Sequence, residues 1–333
     1  MAHVSVSTVS RSFTKPDMVS AATRRKVLDI ADQLNFSISR SAAALKSGRA
    51  MRVALLMSDQ LRLWFNASVT EGLNEVLHPA GYDLSIFQIS SVEERHGFFS
   101  MLPVRRNADA VIVASFGVDS QELTRLEDVG VPIVGINCVN PQDAGFSAAV
   151  NIDDEQGSRL MARHLLGLGH TSIAYVRTSR AVSLHFSVQR RYESFVECCR
   201  EGGVDPTTVV ADDGPDRVSR ILTSLMSLPT MPTAVVCQED AIAVPLLFQL
   251  LRAGVRVPGD VSVAGYDDAF YAADIGLTTI RQDPLSLARE AGRKTLELIE
   301  GHDVDDPFDV VPAELVIRSS TTARSAGRAS ASI

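Results

Sequence analysis

The spacing of apolar and polar positions changes three times along the chain. In Val4-Ser5-Val6-Ser7-Thr8-Val9-Ser10-Arg11, Val6 and Val9 lie three apart, so they share one face of a short helix able to dock on a body. Ser5 is placed to cap it, its hydroxyl accepting a free backbone N–H. The plain alternative for this stretch alone is a serine-rich disordered start or the stub of a transit peptide. A breaker-rich loop through Lys15-Pro16-Asp17 follows, and Ser20 then caps a second helix from Ala21 to Leu34. Its Val27, Ile30, Ala31 and Leu34 keep the i, i+3, i+4, i+7 spacing of one buried face. Residues 37–50 carry a capping serine, Ala42 to Leu45 and a stop at Gly48, a helix of about two turns that is too short to persist unsupported. A simple linker is the other reading of that segment.

From Met51 the pattern becomes short apolar runs alternating with longer amphipathic ones. Strands are expected at Val53–Met57, Leu84–Ile89, Ala110–Ala114 and Val131–Ile136, with helices over 66–79, 92–102 and 121–128. After residues 137–151 a second set begins. It has helices over 154–167, 187–201, 216–228 and 240–253, with strands at Ser172–Val176, Val209–Ala211, Ala234–Cys237 and Val261–Gly265. A helix over 285–300 and strands at Asp309–Val311 and Glu314–Ile317 close the series, and Ser319 to Ile333 reads as a mobile tail. Alternation of this kind means βαβ units and parallel sheets. The fold class is therefore α/β: two doubly wound parallel-sheet lobes with a crevice between them, behind a small all-α head.

Composition narrows the class. The chain has 45% hydrophobic and 22% charged residues, ordinary for a globular protein. No apolar run is long enough for a membrane span and no secretory core stands at the start, so a cytoplasmic location is expected. Cys138, Cys198, Cys199 and Cys237 have no metal spacing and read as reduced thiols. Charge is uneven. Residues 1–52 hold nine Lys/Arg against three acids, net +6, which leaves 23 basic and 37 acidic residues in the remainder, net −14. A basic head on an acidic body suits a polyanion met by the head alone; a solvated lysine-rich face is the bland alternative. Arg24, Arg25 and Lys26 sit at a helix start, where the dipole disfavours them and a nearby phosphate would not.

Five segments, in order, carry a resemblance. They are Val4-Ser5-x-x-Thr8-Val9-Ser10-Arg11; Val19-Ser20-x-x-Thr23-Arg24 with Val27-Leu28; Leu165-x-x-Leu168-Gly169-His170-x-x-Ile173-Ala174; Val257-Pro258-x-Asp260-Val261-Ser262-Val263-x-Gly265-Tyr266-Asp267-Asp268; and Leu277-Thr278-Thr279-Ile280-Arg281-Gln282. Over nearly the whole chain this resembles the lac-repressor/galactose-repressor family of bacterial transcription regulators. The resemblance implies a helix-turn-helix head whose second helix, here Ser5 to Phe13, enters the major groove of operator DNA. Val6, Ser7 and Arg11 fall where the family reads bases; Ser5, Thr8 and Ser10 fall where it grips phosphates, with Arg24 and Lys46 as further DNA contacts. Arg11 can take guanine O6 and N7 together. It also implies a hinge helix over 39–48 that orders on the operator and wedges Leu45 into the minor groove. Ile38-Ser39 departs from a usual Pro-Asn there, and Ala43 stands where arginine is common. The family carries a further helix ahead of the recognition helix, whereas only Met1-Ala2-His3 precede Val4 here. The expectation is a weakened head in the chain as written, explained by a start codon set too far downstream.

In the body, the resemblance implies an effector, often a sugar or sugar derivative, closed between the lobes. The matching positions are Arg191, Glu239-Asp240 and Asp267, and a guanidinium fork with carboxylates can bracket adjacent hydroxyls. Glu239 replaces a frequent Asn and Ser194 a frequent Gly, so an effector rich in donors, or one carrying an amine, is expected. Trp64-Phe65 is placed in the first strand–helix loop, where an aromatic can cover a sugar face; packing against the helix is the other reading for Trp64, and a structural ion pair the other reading for Arg191. Asn137 and Asp153 are weaker candidates. The expected divisions are a partial helix-turn-helix over 1–36, a hinge over 37–50, a first lobe over 51–150 and 281–309, a second lobe over 151–280 and 310–322, and a disordered tail over 323–333. The expected assembly is a homodimer on a pseudo-palindromic site, switched when ligand turns one lobe against the other. No cofactor is expected, nor enzyme activity: G-x-G-x-x-G after a strand, G-x-x-x-x-G-K-[ST], H-E-x-x-H and G-x-S-x-G are all absent. The rival reading is a two-lobed sugar-binding protein that does not bind DNA.

Overall fold

The computed structural model describes residues 3–14, 16–34, 49–57, 60–89, 91–105, 107–138, 140–179, 186–212 and 214–324. The head has two helices, α1 (Val6–Thr14) and α2 (Ala21–Gln33), joined through a 3-10 turn at Pro16–Met18. Both caps are the expected serines: Thr8 N donates to Ser5 Oγ at 3.1 Å and Thr23 N to Ser20 Oγ at 3.3 Å. Val27 and Ala31 are buried, but Leu34, expected on that buried face, stands 54% exposed as the C-cap of α2. The expected hinge helix over 39–48, with Leu45 and Lys46, lies outside the described residues.

The body then runs β1 (Arg52–Met57), α3 (Trp64–Leu77), β2 (Asp83–Gln88), α4 (Val92–Arg105), β3 (Ala110–Ala114), α5 (Ser120–Glu127), β4 (Ile133–Ile136), α6 (Pro141–Ala144) and β5 (Ala148–Ile152). It continues through α7 (Asp154–Gly167), β6 (Ile173–Thr178), α8 (Phe186–Glu201), β7 (Thr207–Ala211), α9 (Arg217–Met226), β8 (Ala234–Cys237), α10 (Asp240–Arg252) and β9 (Ser262–Ala264). Last come α11 (Phe270–Asp274), β10 (Thr279–Arg281), α12 (Pro284–Glu300), β11 (Phe308–Val311) and β12 (Glu314–Val316). One parallel sheet has the order β11-β5-β4-β3-β1-β2, a second has β7-β6-β8-β9, and β10 pairs antiparallel with β12. Central strands β1, β3, β4 and β8 are buried almost throughout, as helices on both faces of a parallel sheet require. In the first lobe α12 lies against α3, where an added Cβ at Gly72 would stand 2.5 Å from the Leu285 carbonyl oxygen.

The chain crosses between the sheets after Ile152, before Pro284 and after Val311. Asn151, Ile152, Val310 and Val311 belong to the first sheet, each Cα-paired between β5 and β11, so the boundaries expected at 150/151 and 309/310 fall two residues early. Strand β5 itself lies in the stretch read as a gap. Its Ala148-Ala149 start lacks the β-branched signal, and its burial comes from neighbours on both sides. The expected tail from Ser319 is also corrected for its described part. Val263 N donates to Ser320 O at 2.9 Å, and Arg324 N to Leu168 O at 2.9 Å, so residues 319–324 lie along the second lobe; 325–333 are outside the described residues. His170 fastens this strip, its Nε2 3.1 Å from Thr322 O.

Candidate functional site

The crevice between the lobes is built at the carboxyl ends of strands, where loops leave the sheets and ligands of open α/β folds bind. From the second lobe, α8 brings Arg191, the start of α7 brings Asp154, the N-cap of α10 brings Glu239, and the chain after β9 brings Tyr266 and Asp267. Arg191 is 4% exposed. Its Nε donates to Asp154 Oδ1 at 2.7 Å, its Nη1 lies 3.6 Å from Asp267 Oδ1, and its Cζ lies 3.8 Å from the Tyr266 ring centroid. The Tyr266 hydroxyl donates to the same Asp154 oxygen at 2.8 Å. A guanidinium so stacked and paired is held in one orientation. Burial works against its charge, but Asp154, Tyr266 and Asp267 outweigh burial and hold its pKa above the ordinary value.

Asp267 is fixed by backbone and side chain together. Its φ is +126°, its N–H donates to Ile280 O at 2.8 Å, and Gln282 Nε2 donates to its Oδ1 at 2.5 Å. Burial pushes its carboxyl well above the usual aspartate range; Arg191 pulls it down, and Asp240 and Glu239 push it up again. Asp240, fully buried behind it, accepts from Thr279 Oγ1 at 2.8 Å and Ala269 N at 3.0 Å, and burial lifts its carboxyl to about 7 against both hydrogen bonds.

The cavity beside this cluster has about 640 Å³ of empty space, part of it open to solvent, and is lined by Trp64, Phe65, Arg191, Glu239, Asp267 and Gln282 among others. Five of the eight positions read as effector candidates therefore meet at one cavity, with Asp240 buried behind it. Trp64 and Phe65 do so from the first turn of α3 rather than from the loop expected, because that helix begins two residues earlier than its periodicity suggested. The expected extra acid, Glu239, has Arg217 Nη1 3.6 Å away, so it is not an unopposed charge. Asn137 is not brought to this cavity; it lines an adjoining one with Asn140, Asp153, Asp154, Glu155 and Arg190. Asp154, Tyr266 and Gln282 were missed as site residues. The last two stand inside quoted motifs, whereas nothing in the spacing of Asp154 distinguishes it from an ordinary first-turn acid. Among the described residues no group of three His, Cys, Asp or Glu is arranged to hold a metal ion.

On the head, Ser5 Oγ lies 2.7 Å from Ser7 Oγ and 2.9 Å from Thr8 Oγ1, a hydroxyl cluster at the start of α1. Val6 is 87% exposed and Arg11 exposed, so Val6 does not share a docked face with the half-buried Val9. Ser10 lies on the same helix. Arg24 Nε donates to Ser12 O at 3.2 Å, which ties α2 to the end of α1 and gives this cation an intramolecular role besides any phosphate.

Residues 1–39 match the bacterial regulatory proteins of the lacI family, and residues 162–321 match the periplasmic binding protein-like domain. The HTH-type transcriptional repressor PurR of Vibrio vulnificus is 26% identical over 328 residues, covering 96% of each chain. The lac repressor dimer, solved bound to operator and the anti-inducer ONPF, superposes with a TM-score of 0.81 at 24% identity over 97% of each chain. The transcriptional regulator CelR, solved with cellobiose, gives 0.69 at 25% identity over 96% of this chain and 97% of that one. A two-helix head with a polar, capped first helix, two parallel-sheet lobes crossed three times, and these matches at both ends lead to one conclusion: the chain belongs to the lacI family of bacterial regulatory proteins, DNA-binding transcriptional regulators with a periplasmic-binding-protein-like domain.

Proposed function

We propose that this regulator is a repressor whose operator affinity is set by a small hydroxylated effector, a sugar or sugar derivative, held between the lobes. The observation that carries this reading is the buried Arg191, fixed by Asp154 and Tyr266 with Asp267 beside it, at a cavity rimmed by Trp64 and Phe65. A guanidinium and a carboxyl side by side can donate to and accept from neighbouring hydroxyls, and an aromatic face covers the apolar side of a sugar ring. The relative solved with cellobiose supports the class of ligand, and the lac repressor dimer on operator supports a dimer on two half-sites. On the DNA side Ser5, Val6, Ser7, Thr8, Ser10 and Arg11 form the reading surface, with Leu45 and Lys46 in the hinge segment.

Effector closure brings the lobes together around Arg191 and changes the separation of the two hinge segments in a dimer, an equilibrium the ligand biases through its differential affinity for the two states. Thermal-shift screening against pentoses, hexoses and disaccharides, repeated with Arg191→Ala, tests the effector reading. A stabilising sugar whose effect vanishes in the variant is the expected result; stabilisation that survives Arg191→Ala contradicts it.

A further inference from the structure

The chain enters the body at residues 49–52, Arg49 being the first described residue after Leu34. Arg52 pairs with Asp83 and Val53 with Ala110, so this entry sits at the starting end of the first sheet, opposite the carboxyl ends that form the crevice. Three other segments grip it. The Asp109 carboxylate, just ahead of β3, accepts from Ala50 N at 2.8 Å and from Arg52 N at 3.4 Å. Asp109 N donates back to Arg52 O at 2.8 Å, and Asp83 N donates to Met51 O at 3.0 Å. Met51, between the two held amides, has a φ of +53°, a left-handed backbone that a non-glycine residue keeps only where its surroundings over-determine it. Arg49 reaches the end of α12, its Nη2 donating to Ile299 O at 3.0 Å and its Nη1 to the Tyr82 hydroxyl at 3.4 Å. The cap of that helix already serves the two preceding carbonyls, with Gly301 N on Leu298 O at 3.1 Å and His302 N on Glu297 O at 3.0 Å. Arg49 takes the next one, at the negative end of the helix.

These bonds exceed what the start of a strand requires. The sheet ladder alone sets where β1 begins. A carboxylate that holds the amides on both sides of a left-handed residue, together with a guanidinium fork one residue earlier, fixes the path of the chain just outside the strand. In sequence, what lies outside is the segment that joins the basic head to the acidic body. A connection fixed at its root restricts the head before DNA arrives, so less freedom is lost on binding. Asp109 cannot serve DNA by direct contact, because phosphates repel a carboxylate. We propose that Asp109 and Arg49 are positioning residues for operator binding: they fix the direction in which the head-bearing segment leaves the first lobe. The inference rests on the DNA-binding function of the family and on no effector.

The test is fluorescence-anisotropy titration of a duplex selected from a random pool by the full chain, repeated over a range of salt with Asp109→Ala, Asp109→Asn and Arg49→Ala. By charge alone, removing an acid tightens binding to DNA or leaves it unchanged. The proposal predicts the opposite sign: Asp109→Ala should weaken binding by about five-fold, what one net hydrogen bond is worth. Asp109→Asn has the same charge as the alanine variant but keeps a carbonyl oxygen for Ala50 N, so it should recover part of the affinity. Arg49→Ala should weaken binding by a similar factor with its salt slope unchanged. Val113→Ala, in the buried core of the same lobe, lowers the melting temperature without touching the entry and should bind the duplex as the unaltered chain does. An Asp109→Ala chain that binds as well or better overturns the proposal, and so does an Asp109→Asn chain no tighter than it. A salt slope reduced by about one in Arg49→Ala makes that residue a phosphate contact instead. Equal weakening in Val113→Ala reduces the whole effect to stability of the lobe. A pool from which the unaltered chain selects no duplex refutes its operator binding and this inference together, whereas a selected duplex bound alike by all the variants refutes this inference alone.

Discussion

Arg191 and Asp154 form a buried ion pair across two helices, Nε to Oδ1 at 2.7 Å, and the Tyr266 hydroxyl shares the same carboxylate oxygen. The pair comes from the second lobe alone, with Arg191 lining one cavity of the crevice and Asp154 the adjoining one. It therefore orients a cavity-facing guanidinium and fastens α7 to α8 beneath it.

Removing one partner of a buried, hydrogen-bonded pair leaves the other charge uncompensated. Asp154→Ala is expected to cost about 3–5 kcal/mol of stability, while Tyr266→Phe, which deletes a single bond to a charged acceptor, costs about 1.5–3 kcal/mol. Urea unfolding followed by circular dichroism checks both. Equal, small effects would mean that the pair is solvated rather than buried.

Asp240 gives the stability a pH dependence of defined sign. Its folded-state value of about 7 lies above the ordinary 3.8, so the native state binds more protons than the unfolded one between about pH 4 and pH 7. Stability attributable to this group is present below that window and is lost as pH rises through it, by up to about 1.4 kcal/mol per unit. Asp267, shifted in the same direction by burial, adds to the trend. Asp240→Asn removes the titrating carboxyl from this position. Melting temperature measured from pH 4.5 to 8 should fall less steeply in Asp240→Asn than in the unaltered chain. Parallel profiles would place the titration elsewhere.

Gly265 allows this carboxylate its place: an added Cβ would stand 2.1 Å from Asp240 Oδ1 and 3.0 Å from Leu277 Cδ2. Gly265→Ala is expected to destabilise by about 1–3 kcal/mol, the usual cost of overpacking. A scanning-calorimetry shift of several degrees is the readout, against a control Gly203→Ala at a site with nothing within 4 Å of the added atom but a φ of +79°.

The head separates two arginines by role. Arg11 is exposed on α1, whereas Arg24 Nε is bonded to Ser12 O at 3.2 Å. On an operator selected from random duplexes, Arg11→Ala should lose about 1–3 kcal/mol of discrimination at one base pair. Arg24→Ala should weaken binding evenly and lower the melting of the head. The salt dependence of binding divides its roles: a slope reduced by about one adds a phosphate contact, and an unchanged slope leaves the Ser12 tie as its whole contribution.

Much of this was legible from the residues. Alternating short apolar runs and amphipathic helices specify parallel sheets because a doubly covered strand must be apolar on both faces, and the capping serines Ser5 and Ser20 declare their helices locally. Arg191, Glu239 and Asp267 could be placed through the resemblance alone. What was not legible depends on contacts distant in sequence. Strand β5 is defined by β4 and β11 on its flanks rather than by its own alanines. Ser320 is ordered by Val263, 57 residues away. Asp154 acquires its role only when α8 lays Arg191 over it, 37 residues on.

The central claim, that ligand held at Arg191 governs grip on DNA, is tested most directly by fluorescence-anisotropy titration of the selected operator with and without a saturating saccharide from the binding screen, in the unaltered chain and in Arg191→Ala. The account predicts a shift in operator affinity of ten-fold or more on adding the saccharide, absent in Arg191→Ala, while the two proteins bind operator alike without ligand. An operator affinity that the bound saccharide leaves unchanged, or a shift that persists in Arg191→Ala, would contradict it.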